Sequence, residues 1–366
     1  MKAATRMPLR QMPRICKGSA PARHLHSSIA RTANVAPIVG TGPPPEPPSP
    51  ATVIAHQLVE RRRKQAELLK KAKDIRSGKG TRGEGLKQRF WKNVTVEEVD
   101  GALQVHLDSR ALRHPETKEV ICLPASKTNM ATALAVEWDM LTSAQDATRQ
   151  HLIPLTSLVC RAIDIEQDDA SGTAEDTKIR KTIADALLRY LDTDALLCWA
   201  PPAKEHDLRN DAGESLRDVQ KKSCIEIVGF LTTHVWPGIT IRPVLDGDSL
   251  SPQSQDTGVR ELIQGWIMGL DAYEIAGLER AVLAGKSLIA AARLVVEWSA
   301  GNAGAGKLNK GQVFGVEETA VVTSLEVDWQ TQQWGQVEDT HDVNHEDVRR
   351  QLGSVVLLVS GTPKDS

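Results

Sequence analysis

Val94-Thr95-Val96-Glu97-Glu98-Val99-Asp100-Gly101-Ala102-Leu103-Gln104-Val105-His106-Leu107 is the stretch on which the fold turns. Val94 and Val96 run into Asp100-Gly101, after which Leu103, Val105 and Leu107 alternate with polar residues up to a second turn at Asp108-Ser109. Period-two apolarity on both sides of Asp-Gly predicts a β-hairpin, since Asp and Gly accept the backbone of a tight turn. Val120 to Leu123 supplies a further strand, so the region is read as antiparallel β.

Downstream the period changes. Met130, Leu134, Trp138 and Leu141 share one helical face, in a helix predicted to be capped by Ser126. Beyond Gly172 helical spacing dominates: Ile179, Ile183, Leu187 and Leu191, then Leu216, Val219, Ile227 and Leu231 as far as Pro237-Gly238. Val259 to Leu270, Tyr273 to Ala284 and Ser287 to Trp298 follow. The fold class expected is α+β: an N-terminal antiparallel β-rich domain over 89–172, a mainly α-helical C-terminal domain over 173–352, and a tail over 353–366.

Upstream of Arg89-Phe90-Trp91-Lys92, where the folded body begins, the chain is of another kind. Gly78 to Gly85 reads as a flexible hinge. Leu58 to Arg76 reads as a helix loaded with Arg61, Arg62, Arg63, Lys64, Lys70, Lys71 and Lys73, with a weak apolar stripe of Ala66, Leu69 and Ile75. A solvated helix is the plain reading and a docking arm for RNA or anionic lipid the sharper one. Pro43-Pro44-Pro45-Glu46-Pro47-Pro48-Ser49-Pro50 is an extended spacer. Residues 33–88 are thus a Pro-rich linker and basic helix, expected to be disordered.

Met1 to Pro45 contains no Asp or Glu, while Lys2, Arg6, Arg10, Arg14, Lys17, Arg23 and Arg31 recur among Ala, Ser and Met. That is the composition of a mitochondrial presequence, and the apolar core of a secretory signal is missing. Arg23-His24-Leu25-His26-Ser27-Ser28 has the look of a two-step processing site, with cleavage expected near Arg31 or Thr32. Losing 1–32 removes those seven basic residues and no acid, taking the formal charge from -2 to -9.

A net charge of -2 argues against a surface built throughout for nucleic acid. Five cysteines, Cys16, Cys122, Cys160, Cys198 and Cys224, lack C-x-x-C spacing and suggest neither zinc nor a disulfide framework. No run of eighteen apolar residues predicts a membrane span. Eight Trp against two Tyr and three Phe is an unusual skew.

Two stretches mimic chemical motifs. Gly301-Asn302-Ala303-Gly304-Ala305-Gly306-Lys307 satisfies half of a phosphate loop, but Leu308 lacks the hydroxyl for Mg²⁺ and the preceding segment reads as helix where a strand is needed. His341-Asp342-Val343-Asn344-His345 sets two imidazoles four apart, as in zinc hydrolases, with Asp342 where the catalytic Glu belongs. A third stretch is chemically looser: Glu326, Asp328, Glu338, Asp339, Asp342, Glu346 and Asp347 surround Trp329 and Trp334. It reads either as a recognition patch for a basic partner or as a helix with a core Trp and a wet face.

Arg89-Phe90-Trp91-Lys92-Asn93-Val94, Leu107-Asp108-Ser109-Arg110, Glu137-Trp138-Asp139, Pro154-Leu155-Thr156, Leu191-Asp192-Thr193-Asp194 and the run Leu325 to Val343 together resemble the mitochondrial ATP synthase assembly factors that chaperone the F(1) α subunit. The resemblance runs in consistent order from about Arg89 to Gln351. It implies a non-enzymatic monomer of the mitochondrial matrix, without cofactor or metal, that holds the newly imported α subunit until it meets β and uses no ATP. It also implies a functional acidic position mapping onto Glu338 or a neighbour, and a role for Trp138. The partner-binding set expected is therefore Trp138, Glu326, Asp328, Trp334, Glu338, Asp339 and Asp342. Gln336 departs from the family's Trp-Gly-Glu, and the loop from Gly301 to Lys310 has the look of an insertion. A zinc-dependent matrix hydrolase using His341 and His345, or an RNA-binding protein using the basic helix 61–73, are the alternatives.

Overall fold

In the hairpin, β1 (Val94–Val99) and β2 (Ala102–Leu107) pair antiparallel, with Val94 opposite Leu107 and Val99 opposite Ala102. The protein is described by a computed structural model that covers residues 61–67, 88–171, 178–247, 251–304, 313–337 and 340–361. Asp100 and Gly101 have φ of 53° and 79°, the doubly positive pair that a two-residue primed turn demands. The other edge of β2 is shared: β3 (Arg110–Ala111) pairs with its end and β4 (Cys122–Pro124) with its start. Leu103, Val105 and Leu107 all point to one buried face.

That face is covered by α1 (Thr128–Met140), whose Met130, Ala131, Leu134 and Trp138 are buried. Trp91 packs on Trp138 with ring centroids 5.4 Å apart. The expected Ser126 cap is corrected: residues 125–127 form a 3-10 turn and Lys127 is the cap position, without a side-chain cap bond among the described residues. The physical reason is that Lys127 turns inward to serve another helix.

The helical part comprises α2 (Pro154–Ser171), α3 (Lys178–Leu191), α4 (Leu216–His234), α5 (Thr257–Met268), α6 (Ala272–Gly285), α7 (Leu288–Trp298), α8 (Val316–Trp334) and α9 (His341–Val359). Every residue of α7 from Leu288 to Glu297 is buried, as expected of a helix with apolar contacts all round. α6 packs against α2, α7 and α9. At Gly277 a Cβ would stand 2.7 Å from Val359 Cγ1, so glycine lets α6 and α9 approach. Capping boxes at Ser215 with Asp218 and at Asp271 with Glu274 begin α4 and α6.

The described residues from 63 onward form one compact unit. The boundary expected at 172/173 lies outside the described residues, as do the presequence, the Pro-rich spacer, the Gly hinge and the tail beyond 361. Of the basic helix, 61–67 are helical and exposed, with Arg63 3.8 Å from Glu67. Among the described residues, no helix is long and apolar enough to cross a membrane.

Candidate partner-binding surface

The ordered segments that gave the resemblance turn out to be joints. Asp108 accepts from the backbone N-H groups of Lys92 (3.0 Å) and Asn93 (2.9 Å), tying the second turn to the chain entering β1. Those hydrogen bonds hold its carboxyl below the usual range. Arg89 reaches Asp139 at 3.1 Å. Glu137 is 9% exposed and begins α2 from outside by accepting from Leu155 N (2.7 Å) and Thr156 N (2.9 Å). Burial pushes the Glu137 carboxyl up, partly opposed by its bonds from Thr156 and Leu155.

Trp138, expected at a partner surface, lies in the core. It is 8% exposed, and its indole N-H donates to Thr156 Oγ1 at 2.8 Å. Asp194 is fully buried and accepts from Leu196 N and Ile289 N, both at 3.0 Å, joining the end of α3 to the start of α7.

Beside the Glu137 joint lies a groove of about 810 Å³ between α1, the start of α2 and the second half of α9. Ala133, Val136, Met140, Leu152, Leu155, Gly353 and Leu357 line it, with Glu137, Asp146, His151 and Arg350 at its polar margins. The sequence reading missed it, although a signal was present. Ala133, Val136 and Met140 lie at i, i+3 and i+7, a second apolar stripe on α1 beside the core stripe.

The acidic, Trp-bearing run is a helical hairpin. α8 ends at Trp334, Gly335 takes φ 88°, and α9 starts at His341. Trp334 is 76% exposed, Val337 57% and Val343 55%, an apolar group left in water at the tip. Glu326 is exposed and accepts from Gln330 at 3.2 Å. Asp328 sits 3.1 Å from His345 Nε2, bridging α8 to α9; burial pushes its carboxyl up, opposed by His345 and Arg349. Asp342 is half-buried in the first turn of α9. Trp329 is also half-buried and lines a cleft with Leu216 and Val219 of α4. Gln336 is exposed at the tip. Glu338 and Asp339 lie outside the described residues.

The two motif mimics are occupied by structure. Ala303 N donates to the buried Glu274 carboxylate (2.8 Å) and Gly301 N to Ser299 Oγ (2.8 Å), so N-H groups that a phosphate would need already serve the chain. A phosphate there would also face Glu274 and Asp271, whose carboxylates a Cβ at Gly301 would overlap. Residues 305–312, including Lys307, lie outside the described residues. Of the histidines, His341 Nδ1 accepts from Val337 N (3.2 Å) and His345 faces Asp328. Among the described residues no group of three side chains is placed to hold a metal.

A family model described as ATP12 chaperone protein matches residues 88–232. The chain is 31% identical over 274 residues to "Protein atp12, mitochondrial" of Schizosaccharomyces pombe, covering 74% of this chain and 81% of that protein. The chain belongs to the ATP12 chaperone family. A second member, "Protein ATP12, mitochondrial" of Saccharomyces cerevisiae, is 30% identical over 283 residues, covering 74% of this chain and 83% of the other. The fold is also that of the crystal structure of Atp12 from Paracoccus denitrificans, with TM-score 0.51 at 20% identity over 74% of this chain and 96% of that one. The ATP12-family match from residue 88 begins at the Arg89–Asp139 joint and takes in the hairpin, α1 and α2.

Proposed function

We propose that this ATP12-family chain is an assembly chaperone of the mitochondrial ATP synthase that holds the unassembled F(1) α subunit in the matrix until β replaces it. It acts as a monomer, and neither catalysis nor a cofactor is needed. The observation that carries this reading is the tip of the α8–α9 hairpin, where Trp334 stands 76% exposed, on a hairpin that also carries the exposed Glu326 further down α8 and Asp342 in the first turn of α9. An exposed Trp on an acidic helical hairpin suits recognition, since Trp supplies contact area and carboxylates steer a basic partner.

The chemistry of the task is simple. A free ring subunit exposes interfaces meant for its neighbours, and such apolar surface aggregates. Covering roughly 1,200–2,000 Å² of it is enough, with an affinity moderate enough for exchange. The presequence composition of residues 1–45 and the mitochondrial names of the relatives support the compartment.

The test is co-isolation of the α subunit from matrix extract on the tagged chain, compared with a variant carrying Glu326→Lys, Trp334→Ser and Asp342→Lys together. The wild type is expected to retain α and the variant to lose it while keeping its circular dichroism. Equal recovery on both would move the binding surface elsewhere, and no α on either would reject the reading.

A further inference from the structure

Apolar contact with the core stops partway along the α8–α9 hairpin. Among the described residues, it ends on α8 at Val322 and resumes on α9 at Val348. The stretches Leu325 to Trp334 and His341 to Asp347 contain no buried residue, whereas every residue of α7 from Leu288 to Glu297 is buried. Leu325 and Trp329, at i and i+4, instead face Leu216 and Val219 of α4 across a cleft of about 360 Å³. The base of the hairpin is tight by contrast. Thr319 and Ala320 are buried, and a Cβ at Gly285 would stand 2.9 Å from Thr323 Cγ2, so α6 and α8 approach closely there.

Charge follows the same division. The two outer stretches carry Glu326, Asp328, Asp342, Glu346 and Asp347 and no Lys or Arg. Asp342 and Glu346 stand four apart on α9, a like-charge spacing that destabilises a helix. Asp328 and His345, 3.1 Å apart, join the stretches, and that pair carries full charge only when the imidazole is protonated. The cations lie towards the base: Arg349 reaches Glu317 at 2.8 Å and Glu346 at 3.5 Å, and Arg350 reaches Asp347 at 2.8 Å.

We propose that Leu325–Trp334 and His341–Asp347 form an arm that opens as one unit on its Thr323 and Val348 base while the body stays folded. Helical hydrogen bonds keep each stretch regular, but a unit without buried apolar contacts opens at little cost. Carboxylates set beside one another lower that cost further. On the chaperone reading above, and resting on it, the binding surface moves with the arm, because the exposed Trp334 stands at its end.

Amide exchange of the whole chain, followed by mass spectrometry of overlapping peptides, tests the arm. Amides from Leu325 to Trp334 are expected to exchange at one shared rate, about a hundredfold faster than those of α7. Raising NaCl from about 20 mM to about 500 mM should slow the arm about threefold and leave α7 unchanged, because salt screens the repulsion. Glu326→Lys removes a carboxylate that accepts only from Gln330 and should slow the arm about twofold. Trp329→Ser removes the side chain facing α4 and should speed the arm about tenfold without touching α7. Rates graded inward from Trp334 would show fraying of a helix end and overturn the arm. Arm amides as slow as those of α7, or a Trp329→Ser protein in which α7 quickens equally, would overturn it too. Faster arm exchange in high salt or in Glu326→Lys would overturn the part given to repulsion. Bound α subunit should slow the arm, and a complex with unchanged arm exchange would detach the arm from binding. Failure to bind α would reject the chaperone reading, while the rates of the free chain still decide the arm.

Discussion

The Glu137 carboxylate holds Thr156 twice, accepting from its backbone N-H at 2.9 Å and its hydroxyl at 2.6 Å, while the neighbouring Trp138 indole donates to the same hydroxyl at 2.8 Å. Glu-Trp-Asp and Pro-Leu-Thr, far apart in the chain, are two halves of one joint between α1 and α2. Replacing Glu137 by Leu removes the acceptor from the buried Thr156 N-H, worth about 1–3 kcal/mol when orphaned, and from the part-buried Leu155 N-H. Urea unfolding followed by Trp fluorescence should show a loss of about 2–4 kcal/mol for Glu137→Leu and about 1 kcal/mol for Trp138→Phe. A Glu137→Leu protein as stable as wild type would mean that this joint does not secure α2.

Lys127 closes the far end of the last helix. Its buried Nζ donates to the carbonyls of Leu358 (2.7 Å), Val359 (3.0 Å) and Ser360 (3.0 Å), three acceptors of a kind that a helix C-terminus leaves open. Burial lowers its pKa, opposed by Asp271 and Glu274. Lys127→Met should cost about 2–3 kcal/mol, the range for hydrogen bonds to a charged group, and should speed amide exchange in the last turn of α9 above all. Exchange that quickens evenly over the whole body would point to global loosening and away from a specific cap.

How far the sequence could have foretold these joints depends on whether the signal is local. The hairpin was legible because Asp100-Gly101 and the alternation of Leu103, Val105 and Leu107 are local, and the register then follows. The helices were legible from their apolar period. Lys127 was not, because its partners lie more than two hundred residues away, and nothing in Ala125-Ser126-Lys127 announces a lysine that reaches the end of α9. The two Trp expected at one surface lie apart in burial, Trp138 interior and Trp334 exposed, a difference set by tertiary neighbours such as Trp91 and Thr156. The groove was half legible, since one wall is a stripe on α1 while the other comes from α9.

Asp194 gives the pH dependence its sign. It is fully buried, and burial raises its carboxyl from 3.8 to about 6 against the hydrogen bonds that favour the anion. A carboxyl with a raised folded pKa contributes stability that is complete below the unfolded value and is lost as pH rises through the folded one. For this shift the loss amounts to about 3 kcal/mol. Asp194→Asn has no such proton, so its cost relative to wild type should be greatest near pH 4 and shrink as pH passes 6. Denaturant midpoints of both proteins across that window decide it, and a difference that stays constant with pH would refute the assignment.

Asp328 and Glu326 are two residues apart on α8 but have different duties. Asp328 faces His345 at 3.1 Å, with Arg349 close enough to favour its charge, so a reversal there removes the acceptor from His345 and sets an ammonium near the Arg349 guanidinium. Asp328→Lys should therefore loosen the α8–α9 hairpin and lower stability by about 1–2 kcal/mol. Glu326 is exposed and bonds only weakly to Gln330, so Glu326→Lys should change stability by no more than about 0.5 kcal/mol. If the acidic face of the α8–α9 hairpin steers a basic partner, Glu326→Lys slows α subunit association at low salt and the deficit fades at high salt, because rim charges act through long-range attraction. Association rates on immobilised chain at two ionic strengths provide the measurement. A Glu326→Lys protein that associates at the wild-type rate at low salt would remove Glu326 from the surface, and one that melts early would show that the residue holds the hairpin itself.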